Sequence, residues 1–290
     1  MRYTNKNNLP EPVVKALTHY DKEQRIQGVR VTTLIDSPRI SQLKKKHASQ
    51  IVEDVSNLVW RVMGTAIHEV FERSASNAYV SEERLEHEVD GTLVSGAIDY
   101  QFQDEGEIDL KDYKSTSTYS LTMTDGNGKP DWEKQLNVYA YLIRHAKGLK
   151  VRNASVIALL RDWSKAQSER RGDYPQASII EVPITLWPDE EQDAYVKERV
   201  RLHRAAEITG DFDDLPECTA EEQWKREGSW AVYKGKNKRA LKLFDSEEEA
   251  QEFAGQSSER NVVERPATFK RCEDNYCSVA DFCDQWKQER

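Results

Sequence analysis

Residues 49–75, SQIVEDVSNLVWRVMGTAIHEVFERSA, carry apolar side chains at Ile51, Val55, Val59, Val62, Ile67, Val70 and Phe71. Steps mostly of three to five put most of them on one helical face, so the spacing predicts one or two amphipathic helices through Ser74. The period then changes. RLEHEVDGTLVSGAIDYQFQ (84–103) and EIDLKDYKS (107–115) alternate and carry turn residues, which predicts neighbouring strands. TDGNGKPD (124–131) opens like a calcium loop, but Leu136 stands where the closing glutamate belongs, so the segment reads as a turn. Asp131 is then the expected cap of a helix over WEKQLNVYAYLIRHAKGL.

Two further strands are expected in ASVIALLRDW (154–163) and ASIIEVPITLW (177–187), followed by a charged helix from about Pro188 to Ile208. Residues 1–30 form a polar lead-in with one helical patch, and Ser37-Pro38-Arg39 breaks a short helical pair between Thr32 and Lys46. The order of elements predicts an α/β (α+β) fold with a mixed central sheet flanked by helices. Past Leu215, WAVYKGKNKRALKLFDSEEEAQEFAG reads as a hairpin and helix inserted at about 229–255. The expected division is a core over 1–215, N-terminal helical region included, and a small Cys-rich C-terminal module over 216–290. No internal repeat and no low-complexity segment is present.

Composition narrows the class. The chain has 290 residues, 38% hydrophobic, with a mean hydropathy of −0.81. Its 7 Trp and 12 Tyr nevertheless supply a core and argue against disorder. There is no apolar signal core or membrane-length apolar run, so a soluble cytoplasmic protein with no membrane partner is expected. The net charge of −9 does not exclude a nucleic-acid partner, because a phosphate-tracking surface needs only local basic stretches. The candidates are 42–47, 144–152 and 234–242, although such runs are more often solvated helix ends and hairpin tips.

Two acid-x-lysine triplets stand back to back, Asp109-Leu110-Lys111 and Asp112-Tyr113-Lys114. Strand alternation puts Ile108, Leu110, Asp112 and Lys114 on one face, with Asp109, Lys111 and Tyr113 on the other. An acid and a lysine that follow an inward apolar pair are costly to bury unless they hold a metal or another charge. Asp112 and Lys114 are therefore the candidates, and the Asp109 pair belongs to a solvated face. Around them lie Gly64, His68 and Glu72 on one helical face, Asp99 at the end of SGAIDY, and Gln135 and Tyr139 one helical turn apart. Taken alone, His68 is more often a satisfied core histidine, Asp99 a turn cap, and Gln135 with Tyr139 packing.

In this order, G-x-x-x-H, G-x-x-D, D-x-K and Q-x-x-x-Y, the set resembles the RecB-like branch of the PD-(D/E)XK nuclease superfamily over residues 30–208. VTTLIDSPRISQL is similar to the family's N-terminal helix entry, and Glu88 in HEVDG to an acid often found on the first strand. The resemblance implies a restriction-endonuclease-like fold. It also implies that His68, Asp99, Asp112 and the Tyr113 carbonyl hold Mg²⁺ or Mn²⁺. Lys114 would then orient or activate water, and Gln135 and Tyr139 would position Lys114 and the nucleic-acid strand.

All four cysteines lie late in the chain: Cys218, Cys272, Cys277 and Cys283. Such clustering points to a metal site rather than disulfides if the compartment is reducing. Members of the resembled branch pair one N-terminal Cys, within Cys-Pro-Arg, with three near the C-terminus around a [4Fe–4S] cluster. Here the terminal C-x5-C is kept at Cys277 and Cys283, Ser37 replaces the N-terminal Cys, and Cys218 is the expected fourth thiolate. Zn²⁺ is the alternative ion.

The expected function is a metal-dependent DNA exonuclease of replication, recombination or repair, of bacteriophage or bacterial type. It would work on single-stranded or duplex DNA ends, with a recombination or single-strand-binding protein as a further partner. The competing expectation is an inactive DNA-end-binding scaffold with a structural metal.

Overall fold

The alternating run after residue 91 becomes the centre of a mixed six-stranded sheet. A computed structural model describes residues 1–19, 28–74, 78–122, 124, 128–209 and 214–290. By their contacts the residues divide into two units, Met1–Asp36 with Ser49–Gly210, and Ser37–Ala48 with Asp211–Arg290. Residues 37–48 were expected in the N-terminal core; their contacts group them with the cysteines instead. Asp125–Asn127, the start of the calcium-loop lookalike, lie outside the described residues.

The chain begins with β1 (Arg2–Thr4), α1 (Glu11–His19), β2 (Val29–Arg30) and α2 (Val31–Leu34), after which α3 (Pro38–Lys46) opens the second unit. β3 (Val52–Asp54) pairs in parallel with β1, so the helical reading from Ile51 fails there. A 3-10 turn over Val55–Leu58 leads into α4 (Val59–Arg73), none of whose side chains is fully buried. β4 (Val80–Val89), β5 (Thr92–Asp104) and β6 (Glu107–Thr116) follow, then α5 (Thr118–Thr122), α6 (Pro130–Lys147), β7 (Lys150–Leu160), α7 (Lys165–Ser168), β8 (Ile179–Ile184) and α8 (Asp189–Ile208).

The sheet runs β2-β5-β6-β7-β8, with β4 along the other edge of β5. β6 and β7 are parallel, and the β4–β5, β5–β6 and β7–β8 pairs are antiparallel. Pro183 is tolerated in β8 because that strand lies at the sheet edge. α6 starts one residue before the expected cap: Pro130 takes the first turn, and Asp131 supplies negative charge near the helix N-terminus. Gly148 ends it in a left-handed conformation, φ 69°. Its residues Leu136, Val138, Tyr139, Leu142 and Ile143 join Ile98, Ile108, Leu110 and Val156 of the sheet in one core.

The second unit contains β9 (Lys225–Arg226), β10 (Ser229–Lys234), β11 (Lys242–Phe244), α9 (Glu247–Gly255), β12 (Arg260–Arg265), β13 (Thr268–Phe269), α10 (Lys270–Glu273) and α11 (Asp284–Glu289). The hairpin and helix expected at 229–255 are present as β10, β11 and α9. The insertion continues through β12, which pairs with β10 and completes an antiparallel sheet in the order β11-β10-β12. β9 and β13 pair at its root.

Candidate active site

On β6 the expected alternation places Ile108, Leu110 and Asp112 inward, each 1% exposed. The β5–β6 register runs only from Asp104–Glu107 to Tyr100–Lys111. One residue further, Asp99 Oδ2 accepts a 2.7 Å hydrogen bond from the Tyr113 backbone N–H. A carboxylate thus takes the place of a ladder carbonyl where β6 leaves β5. This satisfies the strand's buried donor and fixes Asp99 at the head of Asp112-Tyr113-Lys114.

The other two members arrive from different elements. His68 of α4 places Nδ1 3.3 Å from Asp99 Oδ1 and 3.2 Å from Glu82 Oε1. Glu82 belongs to β4, where the pairs Ser81–Tyr100 and Glu83–Ile98 set it opposite Asp99. Its φ of 52° puts a non-glycine residue in the left-handed region within a strand. Such backbone costs on the order of 1–3 kcal/mol and persists where surrounding structure imposes it. His68, Glu82 and Asp99 each offer a ligand atom, all within 4.8 Å of one another. The hydrogen bond to Asp99, then that to Glu82, raise the His68 pKa to about 10. That is the signature of excess negative charge around the imidazole, which a divalent cation would neutralise.

Asp112 lies beside this group. Lys114 Nζ is 2.6 Å from its Oδ2, and Gln135 Nε2 donates to its Oδ1 at 3.1 Å and to the Tyr139 hydroxyl at 2.9 Å. Oδ2 is buried and, beyond its ion pair with Lys114, has no hydrogen-bond partner among the described residues. Burial pushes the Asp112 carboxyl up to about 6, against the opposing pull of Lys114. Gly96 explains how Tyr139 reaches this layer: a Cβ at residue 96 would lie 2.6 Å from Tyr139 Cε1. A glycine is needed there for close approach, not for an unusual φ.

His68, Asp99, Asp112, the Tyr113 backbone, Lys114, Gln135 and Tyr139 therefore converge. Glu88 does not. It is exposed and paired with Leu93, near the opposite end of β4 from Glu82. The acid facing Asp99 was legible in the register. Asp90 (φ 47°) and Gly91 (φ 76°) form a two-residue hairpin turn, and counting back from Val89–Thr92 puts residue 82 opposite residue 99. Asp109 is on the outer face as expected, bonded by Arg152 Nη2 at 2.8 Å and Asn153 Nδ2 at 2.8 Å.

In the second unit, Ser37 is fully buried at the start of α3, and its Oγ lies 3.1 Å from Cys218 Sγ. Arg39 holds the approaching chain through the Leu215 carbonyl at 2.7 Å and the Pro216 carbonyl at 3.1 Å. Gln285 bonds both backbone groups of Cys218, at 2.8 and 3.0 Å. Cys277 and Cys283 are buried, and Cys218 and Cys272 are half-buried. Burial raises the Cys218 thiol to about 12 and that of Cys272 to about 11.

The description "PD-(D/E)XK nuclease superfamily" belongs to a family model that matches residues 30–284. No curated protein matches the chain. Among solved structures it is similar to SSO0001, with 15% identity and a TM-score of 0.45 over 66% of this chain and 85% of that one. The alkaline exonuclease LHK-Exo of Laribacter hongkongensis, in complex with dAMP, gives 14%, 0.35, 63% and 91%. A phage-related exonuclease from Haemophilus somnus 129PT gives 15%, 0.31, 67% and 79%. The family match spans both units. The chain belongs to the PD-(D/E)XK nuclease superfamily.

Proposed function

We propose that the protein is a Mg²⁺- or Mn²⁺-dependent deoxyribonuclease that removes nucleotides from DNA ends. The observation that carries this reading is the placement of His68, Glu82 and Asp99 beside Asp112 and Lys114. Four carboxylate- or imidazole-bearing residues and the Tyr113 carbonyl form an oxygen-rich donor set with one nitrogen, suited to Mg²⁺ or Mn²⁺. A cation held there would neutralise charge developing on the scissile phosphate and acidify a water.

The chain's own groups supply the rest. Asp112 holds Lys114 Nζ, which would donate to the attacking water and a phosphate oxygen. Gln135 fixes Asp112 Oδ1 and leaves Oδ2 directed toward the ammonium, while Tyr139 anchors Gln135. A decayed scaffold has no reason to keep this buried ionised set, whose maintenance is costly without chemistry. End-labelled linear DNA should lose mononucleotides with Mn²⁺ or Mg²⁺ and remain intact in EDTA. Equal cleavage of closed circular DNA would defeat the exonuclease part of the reading.

The role we assign is DNA replication, recombination or repair, with a recombination or single-strand-binding protein as the kind of partner; this part rests on the family resemblance. The described residues contain no helix long and apolar enough to cross a membrane.

Cys218, Cys272, Cys277 and Cys283 are assigned to a [4Fe–4S] cluster, with Zn²⁺ as the competing occupant. Supporting this is the position of Cys218 beside Ser37, where the resembled branch carries its N-terminal thiolate. Metal would draw the protons from these raised thiols and stabilise the second unit directly. Anaerobically purified protein should be brown. Cys218→Ser should lose metal as fully as Cys277→Ser, and full retention in the Cys218 variant would place the fourth ligand elsewhere.

A further inference from the structure

The insertion between β9 and β13 takes no part in either site. It has its own core, Val232, Phe244, Ala250 and Ala254, with Trp230, Phe253 and Val262 packed against it. α9 covers one face of its three-stranded sheet. Residues 229–265 contain seven basic and seven acidic side chains, but these are segregated. Five of the bases fall within 234–242, where there is no acid, and four of the acids lie on α9.

Two of those five bases are engaged. Lys234 pairs with Glu259 at 3.2 Å, and Lys242 lies 4.7 Å from the Phe244 ring centroid. Lys236, Lys238 and Arg239 have no ion-pair partner among the described residues. Like charges left side by side on a small module repel one another, and an anionic partner relieves that cost. Beside them the sheet face opposite α9 is apolar and open: Leu241, Leu243 and Val263 are 46%, 50% and 43% exposed. Leu243 and Val263 flank Ala231 on neighbouring strands. Lys238, Arg239, Leu241, Lys242, Leu243 and Arg265 line a surface groove there, and Arg265 also donates to the Tyr233 hydroxyl.

We propose that this face binds a nucleic-acid strand: cations meet the phosphates, and the Leu241–Leu243–Val263 strip receives sugar and base faces. An acidic protein would satisfy the charges, but regularly spaced anions joined by apolar sugars match the mixed groove more fully. The inference rests on the nuclease reading for its choice of anion, and it gives the protein a DNA contact built from residues outside its catalytic set.

The test is the triple variant K236E/K238E/R239E, with K236Q/K238Q/R239Q as a milder form. Binding of a fluorescent single-stranded oligonucleotide is measured in EDTA across a salt series. Cleavage is measured separately with Mn²⁺ at saturating protein. The charge-reversed protein should bind about tenfold or more weaker, with a salt slope smaller by about 2, while the neutralised form falls between. Its single-turnover cleavage rate should stay within about twofold of wild type, because the altered residues touch no reacting group. Wild-type affinity and slope in the charge-reversed variant would overturn the proposal. So would displacement of the oligonucleotide by poly-glutamate as readily, charge for charge, as by unlabelled DNA. If the wild type binds DNA but does not cleave it, the nuclease reading alone falls; if it cleaves DNA but does not bind the oligonucleotide in EDTA, this proposal alone falls.

Discussion

One strand carries the same acid-x-lysine pattern twice, and the two copies have opposite fates. Asp109 and Lys111 face outward and are neutralised locally, Asp109 by Arg152 and Lys111 by Glu181 at 2.8 Å. Asp112 and Lys114 face inward and pair with one another in front of His68, Glu82 and Asp99. The Asp109 carboxyl is lowered, chiefly by its Arg152 hydrogen bonds, whereas burial raises that of Asp112. Sequence spacing three residues apart is enough for this reversal, because side chains alternate across a strand. Composition at a motif says little until the face is known.

The widest gap between the faces should appear in catalysis. Asp112→Asn and Lys114→Ala should each lower the single-turnover cleavage rate by about 10³-fold or more, with DNA affinity retained. Asp109→Asn should change it by less than about twofold, since exposed ion pairs contribute little. The decisive measurement is the rate at saturating protein; loss in Asp109→Asn with activity in Asp112→Asn would reverse the face assignment.

A second contrast sets Glu82 against Glu88 on one strand. Glu82→Gln should weaken Mn²⁺ binding by about 10–100-fold, the scale seen when groups around a metal are altered, and should reduce cleavage at limiting metal. Glu88→Gln should leave both unchanged. Titration calorimetry with Mn²⁺ on catalytically inert Lys114→Ala protein separates binding from turnover. Equal loss in both variants would mean that general negative charge, not ligation, explains the effect.

These two acids also mark how far the chain could be read. The inward face of β6 and the mixed sheet were legible, because each depends on periodicity and on neighbours in sequence, whereas the approach of Gln135 and Tyr139 on α6 was implied only by the family resemblance. Glu82 was harder. Two glutamates stand together at 82 and 83, and their exposure depends on a left-handed residue within the strand that no propensity announces. The Asp90-Gly91 turn carried enough information to count the register, but only once β4 and β5 were joined across it. β3 was missed because three residues that pair with a distant N-terminal strand continue an apolar run at helical spacing. The grouping of Ser37–Ala48 with the cysteines depends on Arg39 reaching the carbonyls of residues 215 and 216, a contact across more than 170 positions.

The last contrast concerns protons and again separates the two faces. His68 is held protonated to about pH 10 by Asp99 and Glu82, from an ordinary value of 6.5. A metal-free protein therefore keeps the stabilisation of this charged imidazole fully below pH 6.5 and loses it as the pH rises toward 10. A cation needs the neutral imidazole, so binding must expel the proton, and apparent Mn²⁺ affinity should rise by up to about tenfold per pH unit over that window. Asp109, with its lowered carboxyl on the outer face, is already ionised throughout and contributes no slope there. In EDTA, the melting temperature should decline between pH 6.5 and 10 more steeply in the wild type than in His68→Gln. Calorimetry at pH 8 in two buffers of different ionisation enthalpy should show close to one proton released per Mn²⁺ in the wild type and none from this source in His68→Gln. Equal release by the two proteins would move the displaced proton to another group and remove His68 from the ligand set.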